Sequence, residues 1–311
     1  MVRSNANKKK KIYPKAVPSK QGKMGKPLSG RKFTEGWATK RLSSSLIRKF
    51  QNIILQHYER HARVFPWRRT CDPYQIFVSE IMLQQTTVDR VIEKYEQFIT
   101  LFPNIFSLAR APLEKVLKAW LGMGYNRRAI ALKKSAEIVV KKFQGKLPET
   151  EKELLTLPGV GKYTAAAIAV FAFNCPVILL ETNVRTVFIH FFFEDKNEVK
   201  DSEIIPLIQT TLDTTNPRQW YNALMDYGVM LKKTRPNPGR KSAHYIRQSR
   251  FEGSDRQIRG AILRALAAGK TKSAVEIIQL VGGEPDRIKR ILSQLQKEGF
   301  VKRNKQKIMI A

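Results

Sequence analysis

Two cysteines, Cys71 and Cys175, are all that a chain of 311 residues contains. They are too few for a disulfide framework and lack metal-ligand spacing, so a reducing, cytoplasmic setting is expected, with packing alone holding the fold. Long apolar runs are missing too. The longest, around Ile168 to Phe173, is far shorter than the roughly 20 residues a helix needs to cross a bilayer, and no membrane association is expected. Lysines near the N-terminus have no apolar segment behind them, so no secretory signal is expected either. Acidic residues are scarce: 26 Asp and Glu face 57 Lys and Arg, for a formal net charge of +31. Such an excess repels itself in a compact body and is normally balanced by a polyanion. Nucleic acid is the leading partner class. A basic proteome or a surface tuned for solubility explains the distribution of the charge less well.

What is present divides into four parts. Residues 1–42 are rich in Lys, Ser, Gly and Pro, have Glu35 as their one acid and show no periodicity. They read as a disordered basic arm adding non-specific phosphate affinity. From Ser43 the pattern turns helical, with amphipathic segments at about 74–86, 88–101, 105–109, 113–120, 127–143, 150–156, 162–173, 182–192, 202–212 and 218–232. Few runs suit strands, and the fold class expected over 43–232 is all-α. Residues 233–254 are basic and irregular, an extended connection. The pattern restarts over 255–311 with helices at 255–267, 271–280 and 285–298, then the alternating "FVKRNKQKIMIA". Three helices and a ribbon suggest a winged helix whose recognition helix offers Arg287 and Arg290 to DNA; the alternative is a helical cap that only packs on the body.

The stretch "LTLPGVGKYTAAAIAVF", Leu155 to Phe171, reads as one helix end, a tight turn and a second helix start. The turn is either a plain connection or a cradle offering backbone N–H groups to a phosphate. In the second case Gly159, Gly161 and Lys162 are the contacts, and a monovalent cation held by turn carbonyls could reinforce them.

Two further blocks, "PWRRTCDPYQIFVSEIMLQQTTVDRVIEKY" from Pro66 and "AWLGMGYNRRAIALKKSAE" from Ala119, accompany this turn, with "PVILLETNVRTVF" from Pro176. In order and spacing the set resembles the helix-hairpin-helix DNA glycosylases, and within them the adenine-DNA glycosylase (MutY-like) branch rather than endonuclease III. The resemblance covers about residues 46–232, and "VSEIMLQQT" is its most specific part. It implies two helical subdomains with the active site between them. It also implies cleavage of the N-glycosidic bond of a base flipped out of duplex DNA.

The resemblance assigns Glu80 as general acid, and its apolar neighbours Ile76, Phe77, Val78, Ile81 and Met82 are surroundings that raise a carboxyl pKa. The second carboxylate, which stabilises positive charge on the sugar, is Asp in the family and Glu181 here. The added methylene moves that charge by about 1 Å, a displacement that can cost about 100-fold unless the side chain bends back. Tyr163 stands where the lyase branch carries a Schiff-base lysine; Lys162, one residue earlier on a helix, points about 100° away. Hydrolysis without strand cleavage follows, with Asn183 positioning water or Glu181. Gln85, Thr86, Met123 and Tyr125 match positions that wedge into the base stack and contact the base opposite the target, and Arg68 matches a site-lining cation. The family's four iron–sulfur cysteines and its Nudix-like domain are not found, so no cofactor is expected.

The implied function is base excision repair by a monomeric, monofunctional glycosylase, nucleoid-associated in a bacterium, that removes adenine opposite 8-oxoguanine or guanine from mismatched or damaged double-stranded DNA. The alternatives are a glycosylase for mismatched thymine or uracil, or for an alkylated base, and a DNA-binding protein weakened at Glu181.

Overall fold

Residues 42–246, 250–268 and 271–311 are described by a computed structural model. The basic arm expected over 1–42 lies, but for Leu42, outside them. The body consists of α1 (Ser44–His61), α2 (Pro73–Leu83), α3 (Val88–Leu101), α4 (Ile105–Arg110), α5 (Leu113–Ala119), α6 (Arg127–Phe143), α7 (Glu151–Leu154), α8 (Lys162–Phe173), α9 (Thr182–Phe192), α10 (Asp201–Thr211) and α11 (Pro217–Thr234). Their starts are dictated locally. Ser43 accepts from the Leu46 amide at α1, and Asp72 accepts from the Tyr74 amide at α2, where Pro73 occupies the first helical position.

The body has two cores. Ile76, Phe77, Phe98, Trp120 and Leu132 belong to one, and Phe50, Phe188, Phe192, Trp220 and Leu224 to the other. Helix α8 serves both, because its small and apolar residues run all the way round. Ala165, Ile168 and Ala172 enter the first core, and Ala166, Ala167 and Val170 the second. A helix without a polar face has to be enclosed, and that is what places the residues at its N-terminus between the subdomains. Truncating Ile168 to Ala would cost about 2–5 kcal/mol by the usual cavity penalty.

Helix α2 stops at Leu83, short of the residue 86 expected from the sequence. The Arg128 guanidinium accounts for this: its Nη1 donates to the carbonyls of Ile81 (2.9 Å), Met82 (2.7 Å) and Gln84 (2.5 Å). A buried cation on the last carbonyls caps the helix and turns the chain outward.

The C-terminal part follows the order α12 (Asp255–Ala267), β1 (Lys272–Ser273), α13 (Ala274–Val281), α14 (Pro285–Lys297), β2 (Val301–Asn304) and β3 (Lys307–Ile310). This is a winged-helix order, with an antiparallel sheet arranged β1-β3-β2. The first strand was not expected. Ser273 forms a capping box with Glu276, which delays α13 to Ala274 and leaves Lys272 and Ser273 to pair with Ile308 and Lys307.

The stretch expected to be a loose connection is partly built into the body. Lys241 O accepts from the Val199 amide at 2.8 Å and Val199 O from the Ala243 amide at 2.9 Å. Gly239 lies so close to α9 that a Cβ there would sit 2.7 Å from Thr186 Oγ1. The apolar residues of the C-terminal part join the first core of the body, and charged and polar contacts line the seam. Glu298 takes both Arg127 and Arg259, and Arg256 Nη1 donates to Tyr125 Oη at 3.1 Å.

Candidate active site

Glu80 lies in the middle of α2, whose residues from Ile76 to Met82 are all buried. Burial and the nearby Glu181 carboxylate raise its pKa to about 8, against the opposing pull of Arg68. At neutral pH it is an uncharged acid with a proton to give.

Glu181 is the residue before α9. Its Oε1 accepts from the amides of Asn183 (2.7 Å) and Val184 (3.0 Å), and its Oε2 from Asn183 Nδ2 (3.2 Å). The longer side chain therefore bends back onto the helix start, where the aligned peptide dipoles favour negative charge. Asn183 is fixed in turn by Lys232 Nζ, which donates to its Oδ1 at 2.7 Å. Burial lowers the Lys232 pKa, Glu181 opposes that, and Arg63 adds to it. Lys232 was not singled out in the sequence. The signal available was Gly228, one turn earlier on the same face of α11. A Cβ at 228 would lie 2.5 Å from Asn183 O, so only glycine lets α11 come this close.

Tyr163, the second residue of α8, is partly open to solvent. Its phenol is nonetheless pushed well above its ordinary value, by burial first and then by Glu80 and Glu181. The residue is 39% exposed, while its phenol lies near enough to both carboxylates to feel their charge. Glu80, Tyr163, Glu181 and Asn183 thus line one cavity of about 240 Å³, with Trp67 and Asn222 in its walls. That space suits a single planar heterocycle.

Arg68 also lines this cavity, but not as a free cation. It forks onto Asp226 with both bonds at 2.9 Å, and Arg63 Nε reaches the same carboxylate at 2.7 Å. Asp226, with a side chain 1% exposed, offsets one of these two positive charges and holds both guanidiniums against the wall. Arg68 thus lines the site as expected, with its charge already paired.

Gln85, Thr86, Met123 and Tyr125 converge on a groove outside the cavity. Gln85 (φ 53°) and Tyr125 (φ 45°) both adopt left-handed backbone conformations, which side chains rarely tolerate without purpose. Arg128 holds both loops, donating from Nη2 to Thr86 Oγ1 at 2.9 Å and to Gly124 O at 3.1 Å. Met123 differs from expectation: at 1% exposure its side chain packs into the core beneath the groove.

At the hairpin, Gly159 has φ +78°, and a Cβ there would sit 2.8 Å from Ala131 Cβ, so this glycine serves the packing of the turn. Gly161, before α8, has open space around it, and Lys162 beside it is exposed. Arg287 and Arg290 are both paired within the C-terminal part, Arg290 remaining exposed. They reach Asp255 at 2.8 and 3.1 Å, and Arg287 also donates to Gly253 O. The two expected recognition-helix cations thus share one carboxylate at the start of α12. The residues of α14 that do line the groove are Gln294 and Lys297, at its other end.

Residues 78–205 match the model of the HhH-GPD superfamily of base excision DNA repair proteins. Over 187 residues the chain is 37% identical to an adenine DNA glycosylase of Buchnera aphidicola subsp. Baizongia pistaciae, covering 58% of this chain and 52% of that relative. With an adenine DNA glycosylase of Mycolicibacterium smegmatis the identity is 33% over 270 residues, covering 80% of this chain and 91% of the relative. The chain belongs to the HhH-GPD superfamily. Among solved structures, a thermostable thymine-DNA glycosylase superposes on it with a TM-score of 0.55 at 28% identity, over 62% of this chain and 90% of that one. The chain spans about half the length of the Buchnera relative. Glu80, Tyr163, Glu181 and Asn183 all fall inside the segment matched to the HhH-GPD model.

Proposed function

We propose that this HhH-GPD protein is a monofunctional DNA glycosylase, active as a monomer and without a metal cluster, that removes adenine mispaired with 8-oxoguanine or guanine. The observation that carries the reading is the cavity itself. A buried acid with a pKa near 8 shares a base-sized space with a second carboxylate. Glu80 protonates a ring nitrogen of the extruded base. The C1′–N9 bond then breaks, the electron pair leaving with adenine, and Glu181 stabilises the oxocarbenium-like sugar. Water beside Asn183 adds to C1′, and its proton returns to the Glu80 carboxylate. Tyr163 offers a hydroxyl and no amine, so no Schiff base forms.

A second reading, thymine opposite guanine, is favoured by the likeness to the thymine-DNA glycosylase and is compatible with Asn222. Its buried amide lines the cavity and hydrogen-bonds to no described residue, leaving a donor and an acceptor that suit a pyrimidine imide as well as an adenine edge. Duplexes carrying one mismatch or lesion each, in single-turnover assays followed by alkali, separate the two. Breaks at adenine that appear only after alkali, with no adduct trapped by borohydride, are expected. Faster breaks at thymine would support the second reading. An efficient trapped adduct would overturn monofunctional hydrolysis, and no abasic site on any duplex would overturn the enzyme.

A further inference from the structure

The cavity opens into a groove of about 1390 Å³ that has two owners. Tyr163 and Glu181 line both spaces, Gln85 and Tyr125 line the groove from the body, and Phe251 and Arg256, which belong to the C-terminal part and the segment leading into it, line it from beyond the seam. Phe251 is 56% exposed, the most exposed aromatic ring among the described residues. An apolar ring left in water on a basic wall has the form of a stacking platform for nucleic acid. Arg256 ties this wall to the body. It donates from Nη1 to Tyr125 Oη at 3.1 Å and from Nη2 to Arg250 O at 3.3 Å, one residue from Phe251. Tyr125 is set from below, its ring lying 5.6 Å from the Arg128 guanidinium. Two exposed rings joined by one guanidinium therefore face the same groove from opposite sides of the seam.

The resemblance already assigns Gln85 and Tyr125 to the base left unpaired opposite the extruded one; we propose that Phe251, from the C-terminal side of the seam, stacks on that base, with Arg256 holding Phe251 and Tyr125 in place. The proposal rests on the reading that a base of one strand enters the cavity. That strand then runs along the cavity mouth, and its partner strand faces the wall beyond the seam. The widowed base has lost its pairing partner and one neighbour's shielding, so a ring offered from that wall recovers part of the lost stacking. Every base has a flat face, so the stack is tolerant of sequence. Arg256 acts through the two rings and is a positioning residue.

The test uses the full chain and duplexes in which the target nucleotide is a stable abasic analogue, so that no excision is needed. The nucleotide opposite is either guanine or a second abasic analogue. Phe251→Ala is expected to weaken binding about tenfold when guanine stands opposite, the usual worth of one base–aromatic stack. With the abasic analogue opposite, the same variant is expected to bind as wild type does. Phe251→Trp is expected to restore binding to guanine. Arg256→Gln is expected to repeat the pattern of Phe251→Ala more weakly, without changing affinity for the doubly abasic duplex. An equal loss on both duplexes, or no loss on either, would overturn the proposal. If wild type shows no preference for the abasic duplex over an unmodified one, the glycosylase reading fails and takes the proposal with it, a result distinct from a failure at Phe251 alone.

Discussion

A carboxylic acid kept uncharged at neutral pH costs the folded chain something, and Glu80 carries that cost where the proposed reaction needs a proton. Glu80→Gln keeps the shape and removes the proton. Single-turnover excision is expected to fall by about 10²–10⁴-fold with DNA affinity nearly unchanged; retention of most of the rate would reassign the acid. The same variant makes a stability prediction. The folded-state value of about 8 lies above the ordinary 4.5, so between those limits the folded chain holds a proton that the unfolded chain has released. Stability from this group therefore falls as pH rises through that window. Thermal melts should find Glu80→Gln level with wild type near about pH 5 and more stable at about pH 9, by on the order of a few kcal/mol. A constant difference across the range would mean that Glu80 stays charged when folded. The acid and its partners were legible because they lie within continuous blocks of sequence. Lys232 and Asp226 were not, since their roles exist only once α11 is packed against α9 and the 63–68 segment. Lys232 acts on a residue 49 positions away, and Asp226 on residues 163 and 158 away.

At the scale of elements, the close approach of α11 to the start of α9 sets the site. Gly228→Ala would place a Cβ 2.5 Å from Asn183 O, with backbone rather than a flexible tip in the way. Denaturant melts are expected to show a loss of about 1–3 kcal/mol, as for other overpacked positions. The excision rate should fall as well, because the shift passes through Asn183 to Glu181. A variant of normal stability and rate would mean that the helices can separate freely. Helix positions in the body were readable from apolar spacing, since one face of each is buried. The early end of α2 was not. It depends on Arg128, which looks in the sequence like one more surface cation and is a buried cap in the fold. Burial lowers its pKa to about 10, yet it remains charged at neutral pH. Strand β1 escaped notice because a two-residue strand has no period to read.

For the molecule as a whole, charge and chemistry occupy different places. The net charge of +31 is spread widely, while the reacting groups are enclosed in one cavity. Deleting residues 1–42 is expected to leave single-turnover excision at saturating protein unchanged. It should flatten the dependence of log affinity on log salt by about 0.9 for each phosphate that the arm no longer neutralises. A slower chemical step with an unchanged slope would place the arm's role elsewhere. The basic ends and the all-α body were legible from composition and periodicity. The seam was not, because Glu298, Arg127 and Arg259 come together from three distant elements. Arg127 and Arg259 hold the Glu298 carboxyl down at about 2 against partial burial, so the seam keeps its charge throughout the neutral range.

The central claim is that the cavity holds a protonated acid against the leaving base, and the pH profile of single-turnover excision tests it most directly. With adenine opposite 8-oxoguanine as substrate, the rate is expected to be highest on the acidic side and to fall as pH rises through about 8, as Glu80 loses its proton. A rate that holds level or climbs through that range would contradict the account.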